Sequence, residues 1–142
     1  MSFLAFISKF ADNKIMQLVV VAIVCDTVFG IARAIKEKEL NSCFGIDGAI
    51  RKVGMLAAIF FLGVADLIIS VNLIGFIPET IRNYLPTQTV GLSDFFGILF
   101  IVYESVSILK NMTLCGLPVQ KIWTAVEHFL DKYTEELPEK GE

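Results

Sequence analysis

The sequence predicts an all-α integral membrane protein: about three transmembrane helices followed by a C-terminal amphipathic helix. Three observations carry that expectation. Of 142 residues, 55% are apolar and only 19% charged, with mean hydropathy +0.68; a soluble domain is about a quarter charged. The run Val53 to Ile77 holds one formally charged side chain, Asp66. As a helix it is about 37 Å long, more than the roughly 30 Å of a hydrocarbon core. Two adjacent basic residues, Arg51 and Lys52, lead straight into it, as suits the cytoplasmic end of a span.

Taken in order, residues 1–14 form a lead-in whose first stretch, MSFLAFISKF, is partly apolar. It lacks the basic start, apolar run and small-residue cleavage site of a signal peptide, so it is expected to stay attached and lie at the interface. Residues 15–35 give a first span, interrupted only by Gln17, Asp26 and Arg33. Residues 36–52 form a cytoplasmic loop in which Gly45 and Gly48 flank Ile46-Asp47 as a turn before Arg51 and Lys52. Residues 53–77 are the second span. Residues 78–91, bracketed by Pro78 and Pro86, form an outer loop with room for one interfacial turn. Ser93 suits an N-cap and Asp94 a first helical turn, opening a third span over 92–110. Gly116 is placed to close that helix and Pro118 to open the next. In residues 117–137, Val119, Ile122, Trp123, Val126, Phe129, Leu130, Tyr133 and Leu137 fall within about 120° of a helical wheel.

Composition also excludes functions. Cys25, Cys43 and Cys115 are odd in number without paired spacing, so no disulfide framework is implied. A single histidine, His128, and no Cys/His cluster leave no metal site, and no cofactor motif is present. Residues 1–116 are electrically neutral and the whole −3 falls in 117–142; nucleic acid would need a basic patch. No nucleophile–base constellation points to an enzyme.

Orientation follows from Lys/Arg counts in short loops. The first loop region has five (Arg33, Lys36, Lys38, Arg51, Lys52) and the second one, Arg82. The expected topology is N-terminus out and C-terminus in, with Lys9 and Lys14 opposing it.

Each span holds one acid, which is expensive at membrane depth. In the first, Ala22, Asp26, Gly30 and Arg33 share a face too polar for lipid, although Arg33 lies near enough the interface to snorkel. In the second, Gly54, Ala58, Ala65 and Asn72 make a small-residue face that lets helices approach closely. Asp66 sits roughly 100° around from it and needs another neighbour. In the third, Gly97, Glu104 and Asn111 recur every seven residues as a polar seam. Two readings stand for the acids. Held neutral or hydrogen-bonded in a bundle, they fix packing; otherwise they line a water-filled lesion or a proton path.

The stretches DTVFGIARAI, FGIDGAIRKVGMLAAIFF and YESVSILKNMTLCGLPV, in that order between hydrophobic spans, resemble the phage-lysis and toxin-secretion holins of Gram-positive bacteria and their phages. The matching features are Asp26 with Gly30, the Gly45/Gly48 segment leading to Arg51-Lys52, and Glu104, Asn111 and Gly116-Leu117-Pro118. The resemblance covers about residues 15–123. It implies a non-enzymatic protein of the bacterial cytoplasmic membrane that homo-oligomerises and permeabilises the bilayer at a set time, releasing an endolysin or toxin. The alternative is a small oligomeric ion channel or an accessory subunit of a transporter. For the tail, Trp123 and Phe129 are the expected apolar anchors.

Overall fold

The computed structural model describes residues 3–38, 42–85 and 87–134. Among them there is no strand, and six helices follow in order: α1 Phe3–Asp12, α2 Lys14–Glu37, α3 Ser42–Ile69, α4 Glu79–Arg82, α5 Leu92–Leu114 and α6 Gln120–Thr134. The helices α2, α3 and α5 are long and apolar enough to cross a membrane. Val21, Val24, Val28 and Ile31 on α2, and Ile50, Val53, Phe61 and Ile68 on α3, are exposed apolar side chains. That surface suits lipid and would be a liability in water.

Asn13 separates α1 from α2. Its backbone is extended, and its side-chain oxygen accepts from the Ile15 and Met16 amides at 2.8 and 3.4 Å, an N-cap. Asn13 also donates to Asp94 Oδ1 at 2.7 Å, tying the first turns of α2 and α5 together. At the other end Lys36 Nζ donates to the Leu114 carbonyl at 2.8 Å. So α2 and α5 run parallel and in register, and they form the most extensively packed pair. Gly97 permits this: a Cβ there would stand 2.7 Å from Ile15 Cγ2. Met16, Val19 and Ile23 of α2 pack with Ile59 of α3 as the small buried core, flanked by Phe10, Phe100 and Ile101. The helix α3 runs antiparallel to α5.

Several boundaries differ from the sequence expectation. Gly45 and Gly48 are helical, and α3 already includes Arg51 and Lys52. Each glycine costs about 1 kcal/mol in a helix, but an internally bonded backbone outweighs this where water is scarce. At the other end α3 stops at Ile69, short of Ile77. Ser70 turns left-handed at φ 51°, and the Asn72 side chain accepts from the Ile74 and Val90 amides, both at 3.2 Å. Such side-chain acceptance competes with helical pairing. Gly91 rather than Ser93 occupies the N-cap of α5. The helix α5 continues to Leu114, so Asn111 is helical, and Gly116 (φ 88°) ends it as expected. The expected tail residue Leu137, Pro86 and residues 39–41 of the first loop lie outside the described residues.

A candidate functional site at the middle of the helices

Asp26 lies 12 residues into α2 and Glu104 12 residues into α5, each about 18 Å along its helix. The parallel pairing, which sets Asn13 against Asp94 and Gly30 against Asn111, brings them within about one turn of each other. Asn111, two turns further along α5, donates to Asp26 Oδ1 at 3.0 Å. Gly30 leaves room for it: a Cβ at Gly30 would stand 3.8 Å from the Asn111 amide nitrogen.

The basic partners come from α3. Lys52 Nζ lies 2.9 Å from Asp26 Oδ2 and donates to Thr27 Oγ1 at 2.7 Å. The Lys52 and Asp26 side chains are only 17% and 12% exposed. One residue earlier, Arg51 donates to the Tyr103 hydroxyl at 2.7 Å. A small cavity is lined by Asp26, Gly48, Arg51, Lys52, Tyr103, Glu104 and Ser107. Glu104 is 2% exposed, and its Oε2 has no hydrogen-bond partner in the protein. Two acids halfway along α2 and α5 thus meet two bases from the first turns of α3, and the four balance formally. A charge at bilayer centre costs about 2.5–3.5 kcal/mol on insertion scales. An opposite charge at 2.9 Å offsets part of that for Asp26 and Lys52.

The structure does not gather every residue of the expected polar seam. Asp26, Glu104 and Asn111 come together. Arg33 points elsewhere and pairs with Glu37 on its own helix at 2.9 Å. Asp66 is remote, near the end of α3 rather than mid-span. It accepts from the Leu92 amide at 2.7 Å, the Ser93 amide at 2.9 Å and the Ser93 hydroxyl at 2.6 Å. It caps the first turn of α5 from another helix, and the absence of a side chain at Gly91 makes the approach possible. This is the different neighbour that its position around α3 demanded.

Sequence reasoning placed Arg51 and Lys52 in the loop and did not foresee that α3 carries them to the cavity shared with Asp26 and Glu104. The missed signal is apolar continuity. Gly45 to Ile69 is a 25-residue stretch of span hydropathy, and it contains the basic pair some two turns in. Of the small-residue positions, Gly97 packs tightly against α2, Ala58 and Ala65 are half-buried, and Gly54 faces open space. Gly45 is likewise open, while Gly48 lines the cavity. Trp123 is half-buried and Phe129 exposed on α6.

Residues 3–132 match the sequence profile of the bacteriophage holin family. The chain is 47% identical over 137 residues to holin-like protein TcdE of Clostridioides difficile, covering 96% of this chain and 82% of that protein. It is 24% identical over 134 residues to a protein of Bacillus phage phi105 named "Probable holin", covering 94% and 86% respectively. No solved structure matches the chain.

Proposed function

Because the chain belongs to the bacteriophage holin family, we propose that its copies assemble in a bacterial cytoplasmic membrane and open a lesion that releases an endolysin or a toxin. One observation carries the assembly reading: the Asp26–Lys52 pair with Glu104, enclosed among three lipid-compatible helices. In a lone copy these groups compensate one another, so the inserted protein is tolerable. Separating α3 from the α2–α5 pair would leave the same groups in need of water. A hydrated lesion between copies supplies it. The face carrying Gly54, Ala58 and Ala65 suits close approach of a second copy.

For orientation, the N-terminus lies outside and the C-terminus inside. Arg33, Lys36 and Lys38 close α2 on the same side as Lys110, Lys121 and α6, whereas Arg82 is the one basic residue between α3 and α5. Withdrawing Arg51 and Lys52 into the span narrows this bias without reversing it.

The deciding experiment is inducible expression in a bacterium, following leakage of ions and of a cytoplasmic enzyme together. Simultaneous abrupt release of both is expected. Ion leakage without the enzyme points to a channel and overturns the lesion reading.

A further inference from the structure

The segment joining α3 to α5, residues 70–91, exposes large apolar side chains that a loop in water would bury. Several of its polar groups bond one another across the loop. The Leu73 amide donates to the Val90 carbonyl at 2.8 Å, closing the base, and Asn72 accepts from both sides of it. Gln88 donates to Asn83 at 2.7 Å, and Arg82 Nη1 donates to the Gln88 carbonyl at 3.3 Å. Beside exposed polar side chains such as Thr80, Asn83 and Gln88, it turns large apolar and aromatic ones outward: Phe76 is 84% and Tyr84 91% exposed, with Ile81 and Leu85 also exposed.

Exposed aromatics alone would not name an occupant, but the attachment of this segment does. Both its ends emerge from membrane-crossing helices, and Asp66 clamps those ends together. The loop is therefore held at the bilayer surface and continues the lipid-facing surface of α3 and α5. Its only charged residues are Glu79 and Arg82, so no net charge steers it towards an acidic or basic protein. Tyrosine and phenylalanine beside a neutral polar frame suit the headgroup region, where an amphipathic ring meets both phases.

We propose that residues 70–91 form an interfacial anchor that seats Phe76 and Tyr84 among the lipid headgroups of the leaflet opposite α6. The anchor fixes the depth of the α3–α5 hairpin. It rests on the membrane-crossing assignment and is independent of the lesion.

The test uses full-length protein in phosphatidylcholine/phosphatidylglycerol vesicles, with Trp123→Phe to remove the native tryptophan and either Phe76→Trp or Tyr84→Trp as reporter. Both reporters should emit blue-shifted relative to free tryptophan. Lipids brominated near the carbonyl end of the acyl chain should quench them more than lipids brominated near its methyl end. Neither result should change when the protein-to-lipid ratio is lowered. Emission like that of free tryptophan, with full acrylamide quenching, overturns the anchor. A blue shift that disappears on dilution into excess lipid and resists brominated lipid assigns the surface to a second copy, and also overturns it. Helical circular dichroism and vesicle flotation of each variant confirm that the reporters sit in folded, inserted protein.

Discussion

Lys52 Nζ stands 2.9 Å from Asp26 Oδ2, which makes a basic residue of α3 the partner of the acid halfway along α2. With Asn111 donating to the other carboxylate oxygen, that single acid is held by two other helices at once. The pair helps to hold α3 to the bundle, to whose buried apolar core α3 supplies Ile59 alone among the described residues.

Removing one partner leaves the other charge buried. Lys52→Met should destabilise the folded protein by about 3 kcal/mol, within the range for breaking a buried pair. Asp26→Asn combined with Lys52→Met should recover most of that loss. Resistance of detergent-solubilised protein to heat or protease measures the cycle, and strict additivity of the two changes would contradict a direct pair.

Glu104 separates insertion from function. Its Oε2 is buried without a protein partner, so Glu104→Gln and Glu104→Ala should insert as well as the parent or better. Ionised carboxylates cost about 2.5–3.5 kcal/mol at helix centre. Both variants should nevertheless lyse late or fail to lyse, because a hydrated lesion loses an ionisable wall group. Membrane-fraction yield and the time course of culture turbidity give the two readouts. Lysis on the normal schedule by the Glu104 and Asp26→Ala variants would make these acids packing residues.

Asp66 and Gly91 should behave as one unit. Asp66→Ala removes three acceptances at the start of α5, a loss of about 1–2 kcal/mol by analogy with an N-cap. Gly91→Ala should do similar damage by another route, since its Cβ would stand 2.5 Å from Asp66 Oδ2. The double variant should be little worse than either single one. Faster trypsin cleavage after Arg82 in nanodisc-held protein reads the loosening.

The contrast between Asp66 and Lys52 shows what periodicity could reveal. Span number, the α6 stripe and the Glu104–Asn111 seam all follow from hydropathy and seven-residue spacing. The angular position of Asp66 on α3 likewise indicated a separate neighbour. Where α3 begins was not legible, because Gly45 and Gly48 carry the local signature of a turn and the helix nevertheless runs through both. That earlier start sets Lys52 against Asp26 and Arg51 against Tyr103. The cap by Asp66 depends on the fold of residues 70–91 around Asn72, a long-range closure without sequence periodicity.

Topology is checked by labelling. With the native cysteines removed, Thr87→Cys and Gln120→Cys place single thiols at exposed positions on opposite sides of the three spans. An impermeant maleimide should label Thr87→Cys in intact cells and reach Gln120→Cys only after permeabilisation. The reverse pattern inverts the orientation and puts α6 outside.

The tail helix gives the last prediction. Along α6, Ile122, Phe129 and Tyr133 are exposed, and the Phe129 and Tyr133 rings pack at 4.7 Å between centroids. An apolar stripe of this kind needs a cover. An inner leaflet is anionic and favours basic helices, whereas residues 117–142 hold six acids against three lysines. Electrostatics therefore favours a protein cover, and another copy's α6 offers the matching surface. Trp123→Asp with Phe129→Asp should shrink the oligomers trapped by cross-linking while the protein remains in the membrane fraction. The second arm uses vesicles: a peptide of residues 117–138 should bind anionic vesicles weakly. Unchanged oligomers together with tight peptide binding would make α6 a lipid anchor instead, because charge repulsion would then have lost to burial of the aromatic stripe.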